Sequence, residues 1–443
     1  MWCTRGTEMA SNVTAARSRL RAGGVLAAAL LFFTLPVSAL DFGGILESSA
    51  EGRETTEGEV ALDLSNSAQL FVGRNPVVDG PLTFRWDAQA SARHHAAFVD
   101  GEFDDERWIF DVDRLDLRWI APEAVAENSV FRGSVGRFPF AETTGLIFDD
   151  RIDGASLSLD FPAVTTAVSA GYTGFLTKEN SEVAVSVDDM NDREDDDIRF
   201  APPRLVSNVS FVFPEIVGRQ SMSLEALAQW DLRDTIDEID FERVHSQYLY
   251  ITGNGPITEA LYYDVALAGG SLQRSTAADD GGSLDDPEQE FGIAGHLRSE
   301  LFLDEAGRNL VTTTLRYGSG SQGPLDAFQS VAPSDIGVLE PVPVADTTAA
   351  IADTTAAILD YSFNPFADRR GAASRRLEIG AFAAVEYSGD LTETDSYRGA
   401  QFGSRLTTRP FSEFGAQVQG GARYDNSTDE LLPIGRAELS ARF

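Results

Sequence analysis

The sequence predicts an all-β chain: a closed, antiparallel, up-and-down transmembrane β-barrel of about eighteen strands with long extracellular loops. Three observations predict it. Apolar and polar side chains alternate over segments of ten or more residues, aromatic residues lie near segment ends, and short connections alternate with long polar ones. Alternation with period two is typical of strands, and soluble strands usually span only ~5–6 residues. Omitting the two least certain segments, which come first, gives sixteen strands, an alternative that keeps the number even.

The chain begins with a segment that indicates export. Arg17, Arg19 and Arg21 precede an apolar run at 25–35, and Val37-Ser38-Ala39 forms a small-residue cleavage pattern. The run is too short to span a membrane, which takes ~20 residues. We therefore expect 1–39 to be a signal peptide and 40–443 to be the barrel. The one cysteine, Cys3, lies in the removed segment, so no disulfide or thiolate metal site is expected.

The strands follow from the alternation in chain order. They are expected at 42–52, 58–72, 81–98, 107–119, 129–138, 152–161, 164–176, 204–213, 220–231, 244–252, 258–272, 290–303, 308–318, 355–366, 376–388, 397–410, 413–424 and 432–443. Within 107–119 the apolar face shifts from Phe110 and Val112 to Leu115 and Leu117. This shift predicts a β-bulge near Asp113 or Arg114. Period alone also fits a soluble sandwich, in which the apolar faces would pack inward.

The charge of the chain limits its partners. The formal net charge is −35 at pH 7, and such an acidic surface repels nucleic acid. The acidic run at 188–197 could bind Ca²⁺ through carboxylate oxygens, but runs of like charge are more often simply solvated. The two readings stay open.

Charged residues on the polar faces are the candidates for pore-lining positions. The last strands contribute a basic set: Arg376, Arg405, Arg409, Arg423, Arg436 and Arg442. Earlier strands contribute an acidic set: Asp87, Asp111, Asp116, Asp160, Glu225 and Asp264. A basic wall facing an acidic wall would sort permeating ions. Alternatively, these charges pair across neighbouring strands and only satisfy a wet interior.

Two segments resemble bacterial porins. Gly136-Arg137-Phe138-Pro139-Phe140 is followed by Phe148-Asp149-Asp150-Arg151 and Asp153-Gly154, and this arrangement is similar to phosphate-selective and alginate-export porins. The resemblance implies a loop at 139–151 that narrows the pore. The last strand resembles outer-membrane barrels, in which a final Phe is read by the barrel-assembly machinery. That resemblance makes Phe443 and Leu439 candidate assembly-signal residues.

Together these patterns predict a porin-like channel in the outer membrane through which small polar or ionic solutes diffuse passively. Expected partners are outer-membrane lipid, the barrel-assembly machinery and the solutes, and no cofactor is implied. The alternative is a structural or adhesive barrel that acts through its acidic surface loops. The four histidines (His94, His95, His245 and His296) lie in no catalytic motif, so an enzyme is not expected.

Overall fold

A computed structural model describes most of the predicted barrel. The described residues are 40–54, 59–74, 82–195, 197–233, 242–276, 284–305, 307–319, 354–366, 377–388, 397–411, 413–426 and 428–443. The predicted signal peptide at 1–39 and most of the long connection at 319–354 lie outside them.

Eighteen strands form one antiparallel sheet in which each strand pairs with its sequence neighbours. They are β1 (Leu40–Glu54), β2 (Val60–Arg74), β3 (Thr83–Val99), β4 (Glu102–Pro122), β5 (Val130–Ala141), β6 (Asp149–Asp160), β7 (Thr165–Tyr172), β8 (Arg204–Val217), β9 (Gln220–Asp231), β10 (Glu242–Pro256), β11 (Leu261–Thr276), β12 (Glu288–Phe302), β13 (Asn309–Gly318), β14 (Thr354–Phe363), β15 (Leu377–Ser388), β16 (Tyr397–Phe411), β17 (Phe414–Asp425) and β18 (Glu430–Arg442). Pairing of β1 with β18 closes the sheet. The prediction of a closed eighteen-strand barrel is confirmed, and the sixteen-strand alternative is not.

The apolar face of the strands points outward. Leu249 is 59% exposed, Phe402 51% and Val418 57%, although each belongs to a regular strand within the sheet. A sandwich would bury such residues between two sheets. In a barrel the same residues meet hydrocarbon, so this surface suits a membrane. Among the described residues, no helix is long and apolar enough to cross a membrane.

The predicted β-bulge is present in β4. Gln89 pairs with Arg114 and Ala90 pairs with Val112, so Asp113 is the extra residue. The bulge lets Phe110, before it, and Leu115, after it, both face outward.

One connection differs from expectation: β3 and β4 are joined by the two-residue turn Asp100-Gly101, whose positive φ angles suit a tight hairpin.

The β5–β6 hairpin leaves the barrel wall. β4 pairs with β5 only as far as Arg137, and β7 pairs with β6 only as far as Asp153. Beyond these positions the two strands pair only with each other. Gly136, with φ of 122°, lies at the departure point, where a Cβ atom would be 2.1 Å from the carbonyl oxygen of Leu115.

The hairpin and the segment between β7 and β8 form an apolar core inside the barrel. The segment contains a short 3₁₀ turn and helix α1 (Val187–Glu194). Core residues from the inserted parts are Phe138, Leu146, Ile147, Phe148, Ile152, Val183 and Val185, and those from the wall are Val206, Leu227, Val244, Tyr248, Tyr250, Ala266, Ala268, Leu272 and Ala294. The inner face is therefore apolar along parts of β8–β12.

Candidate functional site

On β3 and β4 the predicted acids are paired with arginines. Asp87 lies 2.8 Å from Arg85 and 3.3 Å from Arg118. Asp116 accepts hydrogen bonds from Arg114 at 2.6 Å and from Arg118 at 2.5 Å. The four ion pairs form a continuous charged ladder on the inner face of the two strands.

A second group of ion pairs holds the base of the inserted hairpin. Arg137 donates to both carboxylate oxygens of Asp153, at 2.9 and 2.8 Å, and to Asp111 at 3.2 Å. It also donates to two backbone carbonyl oxygens. Arg151 donates to the bulge residue Asp113 at 2.6 Å. The Gly-Arg and acid-Arg pattern singled out in the sequence thus marks the point where the hairpin turns inward.

The expectation of an acidic wall is therefore corrected for β3–β6. Asp160 also has an arginine partner, Arg132. The arginines that accompany the predicted acids are Arg85, Arg114, Arg118, Arg132, Arg137 and Arg151. The sequence already indicated this ion pairing. Arg85 and Asp87 are two residues apart, and side chains two residues apart in a strand point to the same face of the sheet.

Three of the six predicted arginines lie on the inner face of the last strands: Arg405 and Arg436 are near the middle of β16 and β18, and Arg423 is near the end of β17. Arg405 donates to Asp360 at 2.8 Å and lies 3.6 Å from Glu378. Arg423 is paired in register with Gln401, and Arg436 lies 3.9 Å from Glu438. Arg409 lies where the pairing of β16 and β17 is interrupted, Arg442 ends β18, and Arg376 lies outside the described residues.

Glu225 is buried against the tip of the hairpin. It accepts hydrogen bonds from the Tyr250 hydroxyl at 2.7 Å, from the Asn208 amide at 3.4 Å and from the Thr143 hydroxyl. Since Asn208, Glu225 and Tyr250 belong to β8, β9 and β10, the hairpin tip reaches the inner face of strands that are not its sheet neighbours.

Glu142 occupies the same tip. Its carboxylate accepts a hydrogen bond from the Ile147 backbone N–H at 2.9 Å and another from the Thr144 hydroxyl. Burial raises the pKa of Glu142; these hydrogen bonds oppose the rise and the nearby Glu225 carboxylate adds to it. The tip thus brings together two carboxylates of like charge.

Helix α1 is anchored by buried charges. Asp189 accepts a hydrogen bond from Arg204 at 2.5 Å, and Arg233 Nη2 lies 3.2 Å from its other oxygen. Arg204 also lies 3.4 Å from Asp231. No sequence signal linked these residues, because the contact joins the inserted segment to strand ends far along the chain. The part of the chain that the structure describes holds no group of three or more His, Cys, Asp or Glu that could bind a metal ion.

The histidines lie on different faces. His94 points outward, with its ring 4.6 Å from that of Trp108, and its neighbour His95 is on the inner face, 3.8 Å from Asp63. His245 accepts from the backbone N–H of Asp231 at 3.1 Å. His296 lies on the inner face of β12.

Neither a family model nor a curated protein matches this chain. Solved structures do match. OpdQ of Pseudomonas aeruginosa is 12% identical, with 92% of this chain and 99% of that chain covered and a TM-score of 0.54. OccK2 (OpdF) of the same organism, solved in complex with glucuronate, is 14% identical, with 91% and 98% covered and a TM-score of 0.54. The Opd and OccK proteins are outer-membrane porins. The chain has their fold.

Proposed function

We propose that this chain is an outer-membrane channel through which small polar and ionic solutes diffuse passively, with a preference for carboxylates. The observation that carries the proposal is the two-faced barrel, which is apolar outside and lined with arginines inside. The porin fold supports the same function and an outer-membrane location. In this proposal the predicted signal peptide directs export, and Phe443 and Leu439 guide assembly.

The inserted core restricts where solutes pass. Among the described residues it covers the inner face of parts of β8–β12, which leaves the inner face of β13–β18 and β1–β4 as the path. Arg85, Arg118, Arg405, Arg423 and Arg436 lie on that side. Guanidinium groups bind carboxylates through paired N–H donors, which supports a preference for anionic solutes. The bound glucuronate of OccK2 is a carboxylate of this kind.

The predicted role of Phe443 in assembly is supported by its position where β18 pairs with β1. The Phe443 backbone N–H donates to Gly44 at 3.0 Å, and Gly44 N–H donates to the Phe443 carbonyl at 2.9 Å. A Cβ atom on Gly44 would lie 2.3 Å from the Phe443 ring, so the glycine makes room for it. Phe443 therefore takes part in joining β18 to β1, which supports a role in barrel closure.

Reversal potentials in planar bilayers test the channel proposal. In a salt gradient, the refolded protein should show steady conductance with anion preference. Replacing both Arg405 and Arg423 with alanine should shift the reversal potential toward cation preference, because Asp360 and Glu378 lose a compensating charge. Arg308→Ala, in the turn after β12, is the control and should leave it unchanged.

Two results would count against the proposal. Unchanged reversal potentials in the double variant would remove the arginines from the selectivity mechanism. Absence of conductance from correctly folded protein would favour the structural or adhesive barrel instead.

A further inference from the structure

A row of hydrogen-bonded polar side chains crosses β1–β4. The Ser48 hydroxyl donates to the Asn66 side-chain oxygen at 2.8 Å. The Asn66 amide nitrogen lies 3.4 Å from Nδ1 of His94, and Nε2 of His94 lies 3.1 Å from Oε1 of Glu106. The Trp108 N–H donates to the same carboxylate oxygen at 3.4 Å. These contacts join side chains of four neighbouring strands into one polar row, Ser48-Asn66-His94-Glu106.

The strand register places the polar row on the outer face of the barrel. Ser48 lies opposite Leu439 of β18, which is exposed on the lipid-facing surface. On its other side Ser48 lies opposite Asn66, and Asn66 lies opposite His94. His94 in turn lies opposite Trp108, which is 59% exposed. Because directly opposed residues point to the same face of a sheet, the polar row shares its face with side chains that meet hydrocarbon.

Apolar side chains flank the polar row on both sides along the strands. On β2, Leu62 and Leu70 lie four residues before and after Asn66, and both are exposed. A strand rises ~3.3 Å per residue, so each leucine is ~13 Å from Asn66 along the strand. Toward the β3–β4 turn, the rings of Phe98 and Phe103 pack 5.7 Å apart. The polar row therefore lies within the apolar band of the barrel.

Polar groups are costly at this position. Glu106 is two residues from Trp108 and shares its outer face, and the Glu106 side chain is 49% exposed. Charged and polar side chains within a membrane span are expensive and generally face other protein groups. Within the polar row the Asn66 amide uses one N–H and one lone pair of its oxygen. The amide has a second N–H and a second lone pair, so it can both donate to and accept from a partner outside the barrel.

The surface around Asn66 consists of small side chains. Ala50, Ala68, Ala92 and Ala96 each lie two residues from a member of the polar row in their own strand, so they point to the same face. Small residues on a membrane-facing surface let a second protein approach closely, and polar side chains then form hydrogen bonds across the contact. The Asn66 amide is thus accessible to a flat partner surface.

We propose that the outer face of β1–β4 is an interface at which two copies of this chain pair within the membrane. A two-fold axis beside Asn66 brings the amides of the two copies together, and each amide donates to the other and accepts from it. Ser48 and His94 hold the amide in place from either side. The pairing leaves the lumen of each barrel unchanged, so it does not depend on the proposed channel function.

Two observations favour a second copy over a lipid headgroup. The Glu106 carboxylate repels phosphate groups, and Leu62, Phe98 and Phe103 separate the polar row from the extracellular ends of the strands. An amide, by contrast, complements an identical amide, and a two-fold contact presents the same surface on both sides.

Sedimentation equilibrium of the refolded protein in detergent tests the pairing. The wild type should form reversible dimers, and Asn66→Leu should lower the association constant by roughly 10-fold, because it removes the hydrogen bonds across the axis. Leucine suits a lipid-facing position, so this variant should fold. Gln247→Leu replaces an exposed, outward-facing amide on β10 and is the matched control, with wild-type association expected.

Cross-linking in isolated outer membranes locates the interface. Cys3→Ser removes the one cysteine of the chain, which allows a single cysteine to be placed at will. Ala68→Cys, two residues from Asn66, should give a product of twice the monomer mass with a short, membrane-permeant bismaleimide. Ala226→Cys, on the outer face of β9, is the control and should stay monomeric.

Three results would overturn the proposal: a monomeric wild type, equal association of Asn66→Leu and wild type, or equal cross-linking of the two cysteine variants. A monomer that carries co-purified lipid, lost in Asn66→Leu, would assign the polar row to a lipid headgroup instead and would also overturn it.

Discussion

Removing the carboxylate of Asp189 should loosen the inserted segment between β7 and β8 without opening the barrel. In the folded protein this side chain is fully buried and lies against Arg204 and Arg233. It also accepts hydrogen bonds from the backbone N–H groups of Val185, at 2.7 Å, and Ser186, at 3.0 Å. Asp189→Ala deletes all of these contacts, whereas the strand ladder does not involve this side chain.

The size of the effect follows from comparing two contributions. Breaking a buried ion pair from one side costs ~3–5 kcal/mol, because the remaining charge stays buried. The segment also buries Leu176, Val183 and Val185, and each such side chain stabilises docking by ~1.5–3 kcal/mol. The apolar contacts therefore keep the variant docked for most of the time. The undocked population should rise by ~10²–10³-fold, since 1.4 kcal/mol is a factor of ten.

The sequence supplies an assay for this population. Lys178 is the only lysine of the chain, and it lies in the inserted segment. Its side chain is buried, and its Nζ donates to the Asp195 carbonyl at 2.5 Å. A lysine-specific protease therefore has one site, which is protected while the segment is docked. When docking is fast relative to cleavage, the cleavage rate follows the undocked population.

We expect slow cleavage of the wild type and cleavage of Asp189→Ala faster by ~10²–10³-fold. Glu179→Ala is the control. It removes an exposed acid next to the cleavage site and should leave protection intact. Equal cleavage rates for Asp189→Ala and wild type would refute the assignment of the buried ion pairs as the anchor of the segment.

Two further predictions concern the hairpin. Gly136→Ala should lower the melting temperature, because a Cβ atom at this positive φ would clash with the Leu115 carbonyl oxygen and strained backbone costs ~1–3 kcal/mol. The control is Gly420→Ala, where a Cβ atom would meet nothing within 4 Å. This control should melt at the wild-type temperature. An unchanged melting temperature for Gly136→Ala would show that the hairpin does not depend on this glycine. The second prediction uses the pKa of Glu142, which burial raises. A carboxyl with a raised pKa stabilises the fold in acid, below its ordinary pKa, and this contribution is lost as pH rises through the raised value. Glu142→Gln should therefore melt near the wild-type temperature in acid and above it at higher pH, where the ionised Glu142 repels Glu225. A temperature difference that does not change with pH would contradict this reasoning.

The sequence predicted the strands well because each strand carries its own alternation. β9 was expected at 220–231 and has those bounds, and the bulge at Asp113 followed from a shift in the apolar face. β7 was expected to continue to 176 but ends at Tyr172. There the chain enters the inserted segment, and the Thr173 hydroxyl donates to the carbonyl of Pro202 instead.

What a strand face contacts could not be predicted from alternation. The period-two pattern places Val206 and its neighbour Leu205 on opposite faces of β8. Because both residues are apolar, the pattern does not tell which of them faces outward. Leu205 faces outward and is exposed, whereas Val206 packs beneath the inserted hairpin. The distinction depends on residues about sixty positions earlier in the chain, so no local pattern contains it. The same holds for Arg204, whose partner Asp189 lies in the inserted helix.

The bulge at Asp113 fixes the parity of the whole strand. Asp111 and Asp116 are five positions apart, so a regular strand would point them to opposite sides of the sheet. Because the bulge adds one residue, both carboxylates point to the water-filled side of the sheet, where they form ion pairs with arginines. A chain without Asp113 would have to present Asp111 or Asp116 to acyl chains, together with every residue on that half of the strand. A single inserted amino acid thus keeps two charged half-strands compatible with one lipid-facing surface.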